Sequence, residues 1–190
     1  MNSILSSGIA ITWLVLAIVW VTGALKGKRT LKSQTTASRS IQVALMIAGY
    51  ILLANQRLEY GFLAVRFVPD AEWIRIAGLL VAIAGAAFAI WARIMLGRNW
   101  SGRITLKVDH ELIERGPYAL ARHPIYTGLL TTIAGTALLV GTLRGVCAFV
   151  LLLSAIGYKM IQEERLMEAT FPDAYPAYRR HVKALIPWIL

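Results

Sequence analysis

The chain has 190 residues, of which 57% are hydrophobic and only 16% are charged. This composition is too apolar for a soluble domain of that length, so we expect lipid to be the solvent for most of the chain. The formal charge of +10 does not indicate nucleic-acid binding, because the basic residues cluster between apolar runs and form no stripe interleaved with aromatic side chains.

An anionic membrane face is the better partner for this positive charge. The single cysteine, Cys147, excludes an intramolecular disulfide and a cysteine-based metal site. The composition therefore leaves an integral membrane protein as the class to be tested along the chain.

Five apolar runs predict membrane-spanning helices, and they lie at Ile9–Leu25, Ile41–Ala54, Ile74–Leu96, Ile125–Leu143 and Gly145–Ile161. A helix needs about 20 apolar residues to cross about 30 Å of hydrocarbon, so the first, third and fourth runs are good spans. We expect the shorter second and fifth runs to be tilted, extended by flanking residues or partly re-entrant. The first run lacks a basic n-region and a cleavage site, so we expect it to be retained. The sequence thus predicts an all-α integral membrane protein with about five transmembrane helices, with four as the alternative.

Two features describe how these spans are connected and packed. So few residues separate the last two runs that we expect a tight antiparallel hairpin with Arg144 at its tip. Small residues inside spans let helices approach closely, and we interpret Gly78, Gly85, Gly128 and Gly135 in this way rather than as catalytic positions.

The distribution of lysine and arginine predicts the orientation. The loops after the first, third and fifth runs carry most of these residues, namely Lys26, Lys28, Arg29, Lys32 and Arg39, then Arg98, Arg103, Lys107, Arg115 and Arg122, then Arg165, Arg179, Arg180 and Lys183. Basic residues concentrate in cytoplasmic loops, so we expect the amino terminus outside and the carboxyl terminus inside. Residues 98–122 and the carboxyl-terminal tail then lie on the same, cytoplasmic face.

Residues Gly97–Tyr126 are the first stretch that helix packing does not explain, because they combine aromatic, amide, histidine and charged groups beside the bilayer. A Gly116-Pro turn opens the second half of this stretch, and Pro124 falls in the first turn of a span, which places His123 near the N-cap. Arg122 and His123 are equally consistent with a plain membrane boundary at which Arg122 reaches lipid phosphates.

The second unexplained stretch is Tyr158–Pro187. Lys159 and Glu163 are four residues apart and so share one face of a helix, where the ordinary interpretation is a surface ion pair. Aromatic and apolar residues then recur at three- and four-residue spacing, which predicts an amphipathic helix that is more often interfacial than cofactor-binding.

Taken together and in order, these motifs resemble the isoprenylcysteine carboxyl methyltransferase family and its phospholipid methyltransferase relatives. The resemblance covers about half of the chain, from Asn99 to Pro187, and rests on Gly116-Pro-Tyr118, Arg122-His-Pro-Ile-Tyr126, Glu163-Glu164, Phe171, Tyr175, Tyr178, Val182 and Pro187. It implies an S-adenosylmethionine-dependent methyltransferase whose cofactor lies at the cytoplasmic membrane face, beside the helical hairpin. We therefore expect one membrane-embedded domain, 1–190, with amino-terminal spans in 1–96 and the cofactor-binding segment, hairpin and tail in 97–190.

The resemblance also implies the site residues. The cofactor-binding set is Arg103, His110, Glu111, Leu112, Ile113, Tyr118, His123, Pro124, Ile125, Tyr126 and Glu163. Lys159 stands where eukaryotic members have an arginine associated with substrate, so Lys159 and Glu163 are the candidate catalytic residues. No metal ion is implied.

The chemistry of the cofactor fits this division. Its sulfonium and ammonium groups favour aromatic and acidic neighbours such as Tyr118, Tyr126 and Glu163. Its carboxylate favours a helix amino end and cations, here His123 and Arg122. Adjacent helical residues point about 100° apart, so we predict that Glu163 faces the cofactor while Glu164 lies well off that face.

The methyl acceptor follows less directly from the sequence. A carboxylate is already ionised and needs no general base, whereas an amine needs a proton acceptor, so we expect a lipophilic or lipidated carboxylate acceptor. One alternative is N-methylation of a phospholipid or another lipid amine. The other is a non-enzymatic membrane scaffold or transporter, which the lack of ionisable groups deep inside the five runs disfavours.

The orientation is testable by cysteine accessibility. In a Cys147→Ser background, we expect cysteines placed in the loop Lys26–Ser40 and after Ile161 to be labelled from the cytoplasmic side, and cysteines near Arg144 from the opposite side, because of the loop charges. Labelling of positions near Lys32 and Arg144 from the same side would overturn this orientation.

Overall fold

A computed structural model of the protein describes residues 3–24, 30–33, 36–97, 105–107, 112–187 and 189. The helices in these ranges are α1 (Ser3–Ala24), α2 (Thr36–Ala54), α3 (Glu72–Leu96), α4 (Pro124–Val140), α5 (Leu143–Thr170) and α6 (Ala174–His181). Two short strands, β1 (Thr30–Ser33) and β2 (Thr105–Lys107), pair antiparallel. The first five helices carry the five predicted apolar runs, which confirms the all-α membrane fold, and the two-stranded ribbon is an addition that the sequence did not indicate.

The ribbon bears on the arrangement of the loops. β1 follows α1 and β2 follows α3, and the two strands are hydrogen-bonded partners. Loops that pair in this way lie on the same side of the membrane, as the alternation of basic loops requires.

The helix lengths differ in part from the prediction. Helices α1, α3 and α5 are long and apolar enough to cross a membrane, while α4 and the apolar part of α2, Arg39–Ala54, are shorter. Helix α4 has only 17 residues because Gly141 takes the left-handed conformation with φ 74° and ends it. Helix α5 begins two residues later and runs for 28 residues, so the fifth apolar run lies within one continuous helix and is not a re-entrant segment.

Arg144 lies next to the turn of the hairpin, as predicted, but its side chain is buried there. Arg144 is the second residue of α5 and only 2% exposed. Its guanidinium donates hydrogen bonds to the carbonyl oxygens of Leu52 and Leu53, at 2.7 and 2.8 Å, and to the Glu59 carboxylate at 3.1 Å. The last carbonyls of a helix have no partner within it, so Arg144 caps α2 and joins it to α5.

Helices α3 and α4 form the closest contact in the core, while α1 lies against α3 and α2 against α5. A Cβ atom added at Gly135 would meet the backbone nitrogen of Ala82 at 2.4 Å and the carbonyl oxygen of Gly78 at 2.5 Å. The structure thus agrees with the packing interpretation of these glycines, because only glycine lets the two backbones come this close.

Gly135→Ala should lower the melting temperature of the detergent-purified protein, because the new methyl group meets backbone atoms that no side-chain rotation can move. Overpacking of this kind costs about 1–3 kcal/mol. Gly157→Ala is the matched control, since a Cβ atom at Gly157 in α5 meets nothing within 4 Å. Equal melting temperatures for the two variants would contradict the close α3–α4 contact.

Candidate functional site

The amino end of α4 is the centre of the candidate site. Pro124 occupies the first turn of the helix, and His123 is the N-cap with φ −120° and ψ 57°. The carbonyl oxygen of His123 accepts hydrogen bonds from the N–H groups of Tyr126 and Thr127, at 2.9 and 3.0 Å. The histidine and tyrosine side chains therefore project from a backbone whose direction is fixed by the start of the helix.

The carboxyl-terminal tail is bound along this helix end. Backbone and side-chain donors of residues 122–127 reach carbonyl oxygens of residues 182–185: Arg122 N to Lys183 at 2.8 Å, His123 N to Ala184 at 2.9 Å, Arg122 Nη1 to Val182 at 2.5 Å and Thr127 Oγ1 to Leu185 at 2.7 Å. The amino end of α4 is thus held from the outside by a segment nearly 60 residues further along the chain.

Two adjacent carboxylates of α5 reach the same helix end. Glu163 Oε2 accepts a hydrogen bond of 2.7 Å from the Tyr126 hydroxyl and lies 3.9 Å from His123 Nδ1. Glu164 Oε1 accepts hydrogen bonds from Arg122 Nε and Nη2, at 2.9 and 2.7 Å, and lies 3.1 Å from His123 Nε2. The imidazole of His123 therefore lies between the two acids.

Glu164 also reaches the end of α4, which the separation of adjacent helical residues did not predict. That Glu163 rather than Glu164 faces the cofactor stays a prediction. Although the two side chains leave α5 in different directions, their partners are also spread around the end of α4. Tyr126 lies within that helix, whereas Arg122 precedes it and extends a long side chain to the second acid. Both acids are therefore part of the site.

The side chains of His123, Tyr126 and Lys159 complete the cluster. The rings of His123 and Tyr126 stack with centroids 5.6 Å apart and an angle of 16° between their planes. The Lys159 ammonium lies 5.6 Å from the centre of the Tyr126 ring and 3.7 Å from Glu163 Oε1. The side chains of Lys159 and Glu163 are only 12% and 24% exposed, so this predicted pair is much more enclosed than an ordinary surface ion pair.

An apolar wall lies beside these polar groups. Tyr118, Ile125 and Ala92 form a buried cluster against which Ile113 and Tyr126 pack. The backbone carbonyl of Tyr118 accepts a hydrogen bond from the Tyr178 hydroxyl of α6. Burial raises the pKa of both phenols above the ordinary tyrosine value, so both are neutral donors at physiological pH.

The structure brings together most of the residues that the resemblance implies. Those found around the amino end of α4 are Ile113, Tyr118, His123, Pro124, Ile125, Tyr126, Lys159 and Glu163. Leu112 is half-buried, directly before Ile113. Arg103, His110 and Glu111 lie outside the described residues. The assignment of all these residues to a cofactor or an acceptor stays a prediction.

The ion pair of Glu164 with Arg122 and the hydrogen bonds that bind the tail to the start of α4 are contacts that the sequence did not indicate. Glu164 pairs with Arg122, 42 residues away, and helical spacing carries no signal for such a contact. An unpaired carboxylate beside the bilayer is costly, and Arg122 was predicted on the same face of the membrane. These two points together could have indicated the pair. No group of three or more histidine, cysteine or acidic side chains is placed to hold a metal ion in the part of the chain that the structure describes.

Glu164→Gln should loosen the tail, because it removes the charge from the hydrogen bonds that Arg122 and His123 make. Hydrogen bonds to charged groups contribute about 1.5–3 kcal/mol. We expect a lower melting temperature and faster proteolysis after residue 181, with Glu168→Gln, which alters an exposed carboxylate bound to Arg179, as the control. Indistinguishable proteolysis of the two variants would show that Glu164 does not hold the tail.

The chain is similar to known proteins of one family. The model of the isoprenylcysteine carboxyl methyltransferase (ICMT) family matches residues 77–169. The probable protein-S-isoprenylcysteine O-methyltransferase of Oryza sativa subsp. indica is 31% identical over 153 residues, which are 77% of this chain and 80% of that protein. The protein-S-isoprenylcysteine O-methyltransferase of Schizosaccharomyces pombe is 33% identical over 101 residues, or 52% of this chain, and the match spans 43% of that protein.

A solved structure has a similar fold. It is described as the eukaryotic intramembrane Ras methyltransferase ICMT, and it matches with a TM-score of 0.57 and 22% identity over 82% of this chain and 54% of that chain. The relatives and the fold confirm the resemblance on which the site was predicted. The chain belongs to the isoprenylcysteine carboxyl methyltransferase family.

Proposed function

We propose that this protein transfers a methyl group from S-adenosylmethionine to the carboxylate of a lipophilic, isoprenylcysteine-like acceptor at the cytoplasmic face of the membrane. One observation carries the proposal within this family. The Lys159 side chain is only 12% exposed, and its ammonium group lies over the Tyr126 ring and 3.7 Å from Glu163 Oε1. This group is at the end of the α4–α5 hairpin that is opposite the turn. It is placed to bind an anionic acceptor directly beside groups that suit a cationic cofactor.

The side chains at the site fit the chemistry of the cofactor. Glu163, the Tyr126 hydroxyl and the stacked rings of His123 and Tyr126 suit its ammonium and sulfonium groups. The positive end of the α4 dipole suits its carboxylate. The proposed binding set is the predicted one, Arg103, His110, Glu111, Leu112, Ile113, Tyr118, His123, Pro124, Ile125, Tyr126 and Glu163. When bound, S-adenosylmethionine supplies an electrophilic methyl group on a positively charged sulfur.

Lys159 would bind and orient the acceptor. A free carboxyl group has a pKa of about 3.3–3.7 and is ionised at neutral pH, so no side chain has to remove a proton from it. The Lys159 ammonium is paired with Glu163, and an acceptor carboxylate would provide it with a further anionic partner. The contribution of Lys159 is therefore electrostatic attraction and positioning rather than acid–base catalysis.

The wall formed by Ile113, Tyr118 and Ile125 would keep water away from the reacting groups. Exclusion of water strengthens the attraction between Lys159 and a carboxylate, because the local dielectric constant is lower than in solution. Lys159 also stands two residues before Ile161, where the fifth apolar run ends. The acceptor's lipid chain can thus remain in the bilayer while its carboxylate reaches the site.

A methyl-transfer assay tests the proposed function. With S-adenosylmethionine carrying a labelled methyl group and N-acetyl-S-farnesylcysteine as acceptor, we expect label that base releases as methanol, the signature of an ester. The acceptor's carboxamide analogue is the control and should receive no label, and Lys159→Gln should raise the KM for the acceptor with little change in cofactor affinity. Base-stable label on phosphatidylethanolamine, with none on the carboxylate, would favour lipid N-methylation instead.

Glu163→Gln should weaken binding of S-adenosylhomocysteine by at least about tenfold, or about 1.4 kcal/mol, because a neutral amide attracts the cofactor's ammonium less. Isothermal titration of the purified protein measures this. Glu168→Gln is again the control, since Glu168 is exposed and paired with Arg179. Unchanged affinity of Glu163→Gln at equal folded fraction would remove Glu163 from the cofactor site.

A further inference from the structure

A cavity lies at the opposite end of the helices from the candidate methyl-transfer site. It has a volume of about 670 Å³ and is lined by the amino-terminal half of α1 and the carboxyl-terminal ends of α2 and α4. Because α1 packs against α3 and α2 against α5, the cavity is a wedge between the two helix pairs. About 300–1,000 Å³ is the usual range for pockets that enclose a small molecule.

The inner part of this cavity is lined mainly by apolar and aromatic side chains. The rings of Trp13 and Tyr50 meet edge-on, with centroids 5.6 Å apart, and Trp13 Nε1 donates a hydrogen bond of 3.2 Å to Thr136 Oγ1. These contacts form the floor of the wedge, and Ile9, Leu53 and Leu139 are among the side chains that line its walls. A hydrocarbon chain is the occupant that such walls favour.

The outer part of the cavity is basic. Arg66, Arg75 and Arg144 line it, against the single lining carboxylate of Glu59. Asp70, which pairs with Arg66 and Arg75, brings the count to three guanidinium groups against two carboxylates. Arg66 and Arg75 are partly exposed, so their remaining N–H groups can reach a ligand at the mouth.

The mouth of the cavity is held in place by backbone hydrogen bonds. The loop between α2 and α3 is bound to the α4–α5 turn, because the N–H of Leu143 donates to the carbonyl of Val65 at 2.8 Å and the N–H of Phe67 donates to the carbonyl of Gly141 at 3.1 Å. Arg66 lies between these two bonds, in a β-bridge with Thr142. The position of the Arg66 side chain above the apolar wedge is thus set by backbone pairing.

From these observations we propose that the cavity binds one anionic phospholipid from the leaflet on the side of the α4–α5 turn. One acyl chain enters the wedge between α1 and α2, and the phosphate meets Arg66 and Arg75 at the mouth. Guanidinium groups bind phosphate oxygens in a bidentate manner, and the excess positive charge selects an anionic headgroup over a zwitterionic one. The lipid would then hold α1 to α2 where protein contacts alone leave a gap.

This site is separate from the proposed methyl-transfer site. Thr136 and Val140 of the cavity lie 13 and 17 residues after His123 along α4, so about 20–25 Å separates the two at a rise of 1.5 Å per residue. The proposal therefore does not depend on the proposed function.

Native mass spectrometry of the detergent-purified protein tests the proposal. The protein is incubated with phosphatidylglycerol, phosphatidylcholine or oleate at equal concentration. We expect one phosphatidylglycerol to be retained per chain, at least fivefold more often than phosphatidylcholine or oleate. Equal retention of phosphatidylcholine would overturn the selection by charge, and equal retention of oleate would assign the site to a free fatty acid.

Two variants with matched controls test the two ends of the cavity separately. Arg66→Ala should reduce retention of phosphatidylglycerol at least fivefold, whereas Arg57→Ala, an exposed arginine of the same loop outside the cavity lining, should not. Ala10→Phe should block the wedge with all three arginines in place, whereas Ile11→Phe, which alters an adjacent lipid-facing residue, should not. Full retention by folded Ala10→Phe would overturn the proposal even if Arg66→Ala fails to fold.

Discussion

The carboxylate of Glu164 holds together parts of the chain that are far apart in sequence. It is paired with Arg122 and His123 at the start of α4 and lies 3.8 Å from Arg179 of α6. The side chains of Arg122 and Glu164 are only 7% and 14% exposed, so each would be costly to leave without the other. The shape of the candidate site depends on this pairing, because Arg122 also donates to the tail and His123 stacks on Tyr126.

A second ion pair with a buried arginine lies at the other end of the same hairpin. Arg144, at the start of α5, is buried and neutralised by Glu59 and by the terminal carbonyls of α2. Helix α5 is therefore held by charged groups at both ends, to α2 at its start and to the beginning of α4 near its end, while apolar side chains such as Ile133 and Leu152 pack between α4 and α5. In lipid, where apolar surface gains little from burial between helices, such polar contacts and close packing specify the arrangement.

The packing of α5 against α4 has a consequence for the site. Tyr126 is carried by α4, whereas Lys159 and Glu163 are carried by α5, so their separation is set by the packing of the two helices. A shift of one helix along the other would separate the Tyr126 hydroxyl from Glu163. The proposed methyl transfer would require the nucleophile, the methyl carbon and the sulfur to be collinear, and two closely packed helices are a suitable support for that requirement.

The sequence predicted the features that depend on local spacing or on composition. Hydropathy indicated the five helices, the separation of Lys159 from Glu163 predicted their ion pair, and the run before Tyr126 placed Pro124 and His123 at a helix start. The features it missed are long-range. The partners of Arg144 and Glu164 lie 85 and 42 residues away, and neither distance leaves a periodic pattern in the chain.

The two adjacent acids differ in the kind of partner that each one contacts. Glu164 accepts its hydrogen bonds from groups that belong to the protein's own framework, so its charge is already committed in the folded state. Glu163 contacts a tyrosine hydroxyl and a lysine, both of which can exchange partners without disturbing the backbone, and it is the more exposed of the two. A carboxylate that must bind an incoming cation needs such replaceable partners, because the attraction gained on binding has to exceed the interactions that are given up. Glu163 is therefore the acid whose partners can be replaced by a bound cation. Its partners are replaceable because Glu164, and not Glu163, neutralises Arg122 at the start of α4.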